Sequence, residues 1–292
     1  MSSQPKLSLI KTVLLIAPVE PLESLLAKIL DPREWAVQRV VDNATGLAVL
    51  KKKSFDLIVT SEKTSGREDV ELLRKIRLAH PRTRLIILTT ETTPSDVIDA
   101  MRSRAFSYFT APYSQEALTA MIQSAINQPA WDDGIDVVSA TPELVRIRAR
   151  CDLLTAERVL QFFSEISELP ELERQKVGIA FREMLLNAIE HGGQLDANKQ
   201  VEITYVRARQ MVTCLIKDPG QGFTLDEIPH AAIANPDEDP LHHVRYREEQ
   251  GMRPGGFGVM MAQQLVDQVI YGQEGNEVML IKYLDPQSFQ AA

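Results

Sequence analysis

The sequence predicts a doubly wound α/β domain followed by an α+β domain. Three observations indicate this order: strands alternate with helices over residues 12–127, turn-forming residues then interrupt the alternation, and the later strands each have one apolar face. The chain has 292 residues, which is long enough for two hydrophobic cores. Its content of 44% hydrophobic and 25% charged residues is typical of soluble globular proteins.

The charge balance and the cysteines argue against several classes of protein. The chain carries 32 basic and 40 acidic residues, which disfavours a large basic surface for nucleic acid. Cys151 and Cys214 have no spacing typical of disulfides or metal sites, as expected in a reducing cytosol. No stretch approaches about 18 consecutive apolar residues, and Lys11 interrupts the apolar run near the N-terminus. We therefore expect a cytoplasmic protein that binds neither nucleic acid nor a membrane directly.

The predicted first domain covers residues 1–127. Thr12–Ile16, Phe55–Thr60 and Arg84–Thr89 are short apolar runs, typical of parallel strands that are covered by helices on both faces. Val70–Ala79 is amphipathic, as expected for one of the covering helices. The other predicted elements are strands at 36–41 and 107–109 and helices at 20–30, 46–53, 95–103 and 114–126.

A predicted linker at residues 128–142 separates the two domains. It contains Pro, Asp-Asp-Gly and Ser-Ala-Thr-Pro, which are turn-forming sequences, although a short strand at Ile135–Val138 is an open alternative. In the second domain, residues 143–292, the patterns predict helices on one face of a mixed sheet. Its predicted strands are 144–150, 201–206, 211–217 and 277–284, and its predicted helices are 155–167, 171–190 and 258–269.

A polar stripe interrupts the apolar helix FREMLLNAIEHGG, residues 181–193. Glu183, Asn187 and Glu190 fall within about 60° of one another on a helix, because successive residues rotate by about 100°. An amide oxygen and a carboxylate suit a site for Mg²⁺ and phosphate. Taken alone, the stripe is equally consistent with the solvent-facing side of an amphipathic helix.

Two glycine-containing segments follow later in the chain. KDPGQGF, residues 217–223, places an acid at the end of an apolar strand, followed by two glycines that tolerate unusual backbone angles. RPGGFGVMMAQQLV, residues 253–266, runs from glycines into a helix, where exposed N–H groups bind anions. Taken singly, the first segment is also consistent with a plain turn and the second with a flexible hinge.

The order and spacing of residues 12–127 resemble the receiver domain of response regulators, a flavodoxin-like fold. The resemblance rests on FDLIVTSEKTSGREDVELLRKIR, RLIILTT and SYFTAPY. Receivers carry an acidic pair, a phosphoacceptor Asp, a Ser or Thr, and a Lys before Pro, in that order. Here the matching positions are Ala17-Pro18, Ser61, Thr89 and Ala111-Pro112, so only the hydroxyl is kept. We expect a pseudo-receiver that docks to a partner and takes no phosphoryl group by the family mechanism; a folded spacer is the alternative.

Together, the polar helix and the two glycine segments resemble the GHKL (Bergerat) ATP-binding domain over about residues 143–285. The form EMLLNAIEHGG and the closing GNEVMLIKYL are most similar to the anti-sigma-factor serine kinases. The resemblance implies that ATP is the nucleotide and that Asn187 holds Mg²⁺ at its phosphates. It further implies that Glu183 is the catalytic residue, acting as the base or the orienting group toward a serine hydroxyl, and that Asp218 accepts a hydrogen bond from the adenine amino group.

The resemblance also implies roles for the glycines and for Asn276, which departs from the family pattern. Gly220 and Gly222 would let the chain pass close to the nucleotide, and Gly256 and Gly258 would bring backbone amides to the phosphates. The family has Gly-Thr before its last strand where this chain has Gly275-Asn276, so Asn276 is expected near adenine.

The loop between the glycine segments, Thr224–Arg253, is expected to be a lid or partly disordered because of its length. His242-His243 within it suggests a metal site, but adjacent side chains usually point in different directions, so a solvated loop is favoured.

Two functions are compatible with these motifs. The first is an ATP- and Mg²⁺-dependent protein serine/threonine kinase whose partners, by resemblance, are a sigma factor and a STAS-type anti-sigma antagonist, with a homodimer also implied. The second is a nucleotide-gated protein-binding module with little or no phosphotransfer, which the loss of the receiver acids suggests.

Overall fold

A computed structural model describes residues 10–18, 21–61, 63–127, 132–222, 238–239, 241–249 and 256–285. The chain forms two compact units, Met1–Asp133 and Gly134–Ala292. A strand at Ile135–Thr141 belongs to the second unit, so half of the segment predicted as a linker is part of a sheet. The open alternative of a strand in this segment is therefore the correct one.

The first unit contains a five-stranded parallel sheet in the order β2-β1-β3-β4-β5. Every residue of the third and fourth strands is buried, as expected for strands covered on both faces. The strands are β1 Lys11–Ile16, β2 Trp35–Val40, β3 Leu57–Val59, β4 Arg84–Thr89 and β5 Ser107–Thr110. The helices are α1 Pro21–Ile29, α2 Asn43–Leu50, α3 Gly66–Ala79, α4 Pro94–Arg102 and α5 Gln115–Asn127.

Local sequence explains where several of these helices begin. Thr93 and Asp96 form a capping box at the start of α4, and Pro94 occupies the first helical turn, where its missing N–H is not needed. The carboxylate of Asp42 accepts a hydrogen bond from the Thr45 amide and so caps α2.

A buried carboxyl group, Asp69, lies in the first turn of α3. It accepts hydrogen bonds from the Asn43 amide and the Thr64 hydroxyl, both at 2.7 Å. Burial raises the pKa of Asp69 to about 6, although these hydrogen bonds act in the opposite direction. A carboxyl group whose pKa is raised by folding binds its proton more tightly in the folded state. It therefore stabilises the fold most at low pH, and this contribution is lost as the pH rises from about 4 toward 7.

Replacing Asp69 with Asn should flatten the pH dependence of the first unit's stability. Between pH 5 and pH 7.5, the wild-type protein should lose roughly 1.4 kcal/mol of unfolding free energy that the variant keeps, because Asn cannot ionise. The measurement is urea unfolding at both pH values, followed by hydrogen exchange of the β4 amides. Equal pH dependence in the two proteins would show that Asp69 is not the group that titrates.

The second unit contains a six-stranded sheet in the order β10-β11-β9-β8-β7-β6. All five pairings between described strands are antiparallel, so the prediction of a mixed sheet was wrong. The strands are β6 Ile135–Thr141, β7 Leu144–Arg150, β8 Gln200–Ala208, β9 Met211–Lys217, β10 Gln268–Tyr271 and β11 Glu277–Tyr283. The helices are α6 Leu153–Ile166, α7 Glu171–Asn187, α8 His242–Glu249 and α9 Gly258–Leu265.

One face of this sheet packs against α6 and α7. Residues of β7, β8 and β9 alternate between buried and more exposed positions, as expected for a sheet with one covered face. The ring of Phe163 on α6 stacks on Phe181 of α7 with ring centroids 4.3 Å apart, and it meets Tyr205 of β8 edge-on at 5.3 Å. No helix in the described part of the chain is long and apolar enough to cross a bilayer.

Candidate functional site

The polar stripe lies at the C-terminal end of α7. Phe181, Met184 and Leu185 are buried on the apolar sides of the helix, and Glu183 and Asn187 are half-buried. Neither the Glu183 carboxylate nor the Asn187 amide forms a hydrogen bond or ion pair with another residue that the structure describes.

Glu183 lies against the start of α9. A Cβ atom added at Gly258, the first residue of α9, would lie 2.6 Å from Glu183 Oε2. Gly256, just before this helix, has a φ of +94°, which side chains rarely tolerate. The structure thus brings the acid of the helix motif to the glycine segment predicted to bind phosphates.

Asp218 directly follows β9 and forms hydrogen bonds with Gly220 and Asn276. Its Oδ1 accepts a hydrogen bond of 2.8 Å from the Gly220 amide, and its own amide donates to the Asn276 carbonyl at 2.9 Å. Burial raises the pKa of Asp218, and the hydrogen bond from Gly220 opposes that rise. The carboxyl group is thus held in place and retains a second oxygen that can accept a hydrogen bond from a ligand.

The chain between α7 and β8 packs directly onto Asp218. After Asn187 the helix continues as a π turn, Ala188–Gly192, in which the Gly193 amide bonds to the Ala188 carbonyl at 2.8 Å. A Cβ added at Gly192 would lie 2.1 Å from Asp218 Oδ1, far inside van der Waals contact. The sequence predicted a helix over residues 171–190 and did not predict the π turn.

Cys151 is a neighbour of this group that sequence reasoning missed. A Cβ added at Gly193 would lie 2.4 Å from Cys151 Sγ, so the thiol packs tightly behind the π turn. Burial and the nearby charge of Asp218 raise the pKa of Cys151 to about 11, so the thiol stays neutral at physiological pH. The pair of glycines at the end of the motif is the only sequence signal for this close packing.

Gly222 was expected to lie close to the nucleotide, and in the structure its backbone lies close to the Glu274 carbonyl. It has a φ of +79°, and a Cβ added there would lie 1.6 Å from the Glu274 carbonyl oxygen. The backbone at Gly222 therefore packs against the turn before β11. The Asn276 side chain points toward the same segment and donates a long hydrogen bond of 3.4 Å to the Gly220 carbonyl.

Part of the segment predicted as a loop, 224–253, is a helix. Within α8, His243 is fully buried, and its ring meets Phe257 edge-on with centroids 4.5 Å apart. Arg245 forms an ion pair with Asp239. Residues 224–237, 240 and 250–253 of this prediction lie outside the described residues.

A magnesium site at Asn187 is compatible with the donors present. The described residues contain no group of three or more His, Cys, Asp or Glu side chains suited to a metal, and this holds for His242 and His243 as well. Mg²⁺ commonly keeps several waters and is bound by one or two protein oxygens together with substrate phosphates. The half-buried Asn187 amide, which has no described partner, fits such a role.

Comparisons with known families agree with the two units. Residues 13–123 match the response regulator receiver domain, and residues 147–282 match the histidine kinase-like ATPase domain. The chain joins a receiver domain to a GHKL-type ATPase domain. The second of these is an ATP-binding domain, so the fold expected from the resemblance is confirmed in both units.

Individual relatives match one domain each. The chain is 27% identical to the serine-protein kinase RsbW of Oceanobacillus iheyensis over 148 residues. This alignment covers 50% of the chain and 84% of RsbW. It is also 27% identical to the transcriptional regulatory protein GlrR of Escherichia coli over 131 residues. That alignment covers 43% of the chain and 29% of GlrR. The chain covers less than half the length of the transcriptional regulators that it matches.

Solved receivers also align with the first unit. The chemotaxis response regulator CheY4 of Vibrio cholerae is 21% identical, and the alignment covers 40% of this chain and 99% of CheY4 with a TM-score of 0.34.

Proposed function

We propose that this protein is an ATP-dependent serine/threonine protein kinase that regulates a partner protein in bacterial signalling. The observation that carries this proposal is the position of Glu183, whose carboxylate lies against Gly258 at the start of α9. A carboxylate next to a helix start that binds phosphates is well placed to take a proton from an incoming hydroxyl group. The similarity to a serine-protein kinase over the second unit supports the same reaction.

Each side chain of the site has a defined part in this proposal. The Asp218 carboxylate accepts a hydrogen bond from the adenine amino group, while the backbone amides from Gly256 to the first turn of α9 contact the phosphates. Asn187 holds Mg²⁺, which supplies positive charge at the phosphate oxygens when bound.

In the transfer step, the partner's serine oxygen bonds to the γ-phosphorus as the bond from that phosphorus to the bridging oxygen breaks. ADP leaves with the bridging oxygen, and Glu183 receives the hydroxyl proton. Catalysis then consists mainly of positioning and charge neutralisation, as is general for phosphoryl transfer.

The proposed partners are a sigma factor and a STAS-type antagonist, with the cytoplasm as the setting and a second copy of this chain as a further partner. This part of the proposal rests on the similarity to RsbW and on the regulatory nature of receiver domains. The receiver domain would then act by docking, since its phosphoacceptor position is Ser61.

Three measurements on the full chain test the proposal together. Mg·ATP should raise the melting temperature, incubation with radiolabelled ATP should label a partner captured from a bacterial lysate, and phosphosite mapping should place the label on Ser or Thr. Stabilisation without hydrolysis or transfer would contradict the kinase and favour a nucleotide-gated binding module. The absence of any stabilisation by Mg·ATP would contradict both functions.

A further inference from the structure

A cavity of about 650 Å³ opens at the carboxyl edge of the parallel sheet in the first unit. It lies among α1, the segment that follows β3, and the segment that leads from β5 into α5. This volume is within the range of about 300 to 1,000 Å³ that is typical of small-molecule sites. Its described lining includes Lys28, Ser61, Lys63 and Tyr113.

The position of the cavity is one where ligands commonly bind. In the order β2-β1-β3-β4-β5, the chain proceeds in opposite directions from β1 and from β3, so the sheet has its switch point between these strands. Ligands of open α/β sheets bind outside the carboxyl ends of the strands at such a point. Ser61, two residues after β3, is buried at this edge, and its hydroxyl accepts a long hydrogen bond from the Lys63 amide.

The charges around the cavity suit an anion. Lys28 and Lys63 are both exposed at its wall, and no carboxylate is among the described lining residues. Ala17 and Pro18 stand where metal-binding acids would follow β1, so Mg²⁺ lacks those ligands here. A ligand that brings negative charge would therefore meet two cations without needing a metal ion.

The rest of the wall suits an apolar body. Three leucines, Leu22, Leu25 and Leu118, line the cavity together with Tyr113. Tyr113 is held edge-on against Phe109 with ring centroids 5.9 Å apart. The hydroxyl of Ser24 and the amide of Gln115 add neutral hydrogen-bonding groups, as is usual in apolar sites that orient a ligand.

We infer that this cavity binds a small organic anion with an apolar body. Its carboxylate or phosphate group lies between Lys28 and Lys63, and its body packs on the leucines and Tyr113. The receiver domain then senses a metabolite-sized ligand in place of accepting a phosphoryl group. This inference is independent of the kinase reaction proposed for the second unit.

Two matched probes test the inference on the full chain: naphthalene-2-carboxylate and its neutral amide, 2-naphthamide. Titration calorimetry is performed with saturating Mg·ATP, so that the ATP-binding domain is occupied. The carboxylate should bind about tenfold more tightly than the amide, since two lysines attract only the charged probe. In the double variant Lys28→Gln, Lys63→Gln, this preference should fall to about twofold or less.

Lys75→Gln is the matched control, since Lys75 is an exposed lysine on α3 that does not line the cavity. It should keep the wild-type preference, and in NMR spectra the bound carboxylate should shift the backbone amides of Ala111 and of residues 113–115. The inference is overturned if neither probe binds, if the double variant keeps the full preference, or if Lys75→Gln loses as much. It is also overturned if the shifted amides are confined to residues 143–285. None of these outcomes changes the melting shift with Mg·ATP, which tests the kinase proposal separately.

Discussion

Replacing Glu183 with Gln is expected to lower phosphoryl transfer by about 100-fold or more while leaving the binding of Mg·ATP nearly unchanged. General bases typically contribute about 10²- to 10⁴-fold to a reaction. Gln has almost the same shape as Glu, so it fills the same space beside Gly258 but cannot take up the hydroxyl proton. The measurements are the rate of transfer to the captured partner and the melting shift with Mg·ATP.

Glu190→Gln is the control for this variant, because Glu190 belongs to the same polar stripe but has no predicted role in the site. It should transfer phosphate at close to the wild-type rate. If Glu183→Gln transfers as fast as the wild type, Glu183 is not the base. If both variants lose transfer equally, the loss reflects the charge or stability of the helix end instead.

Replacing Gly192 with Ala is expected to weaken ATP binding by roughly 10- to 100-fold. The added Cβ would lie 2.1 Å from Asp218 Oδ1, so the carboxylate must move away from its position beside Gly220. A hydrogen bond to a charged group contributes about 1.5 to 3 kcal/mol, and losing it corresponds to a loss of roughly 10- to 100-fold in affinity. The affinity is measured by calorimetry with Mg·ATP.

Gly178→Ala provides the matched control on the same helix. A Cβ at Gly178 meets no atom within 4 Å, so the change should leave ATP affinity unaltered and stabilise α7 by up to about 1 kcal/mol. If Gly192 acts through Asp218, Gly192→Ala should have little further effect in an Asp218→Ala background. Additive losses of affinity in the double variant would contradict this coupling.

Much of the fold follows from periodicity alone. The apolar run Arg84–Thr89 and the alternating run Leu144–Arg150 are observed as strands with the predicted bounds. Gln268 and Val269, in contrast, were predicted as the end of a helix and belong to the strand Gln268–Tyr271. Its three consecutive hydrophobic residues fit a helix as well as a strand, and only pairing with β11 selects the strand.

For the candidate site, the sequence predicts which residues take part but not which residues contact one another. The residue types of Glu183 and Asp218 in their motifs are visible in the sequence, but their neighbours are set by tertiary packing. The contact between Glu183 and Gly258 depends on α7 and α9 lying side by side. The contact between Gly222 and the Glu274 carbonyl depends on the turn before β11, and no local pattern near Gly222 predicts it.

The π turn at Ala188–Gly192 makes the length of this segment as important as its composition. A π turn holds one residue more than an α-helical turn, and that extra residue sets the angle at which the chain leaves α7. Deleting one residue here would convert the π turn into a regular α-helical turn and shift the chain after it by one residue. Gly192 would then no longer face Asp218, even with every side chain of the motif retained. A change of length between Asn187 and Gly192 is accordingly incompatible with the site.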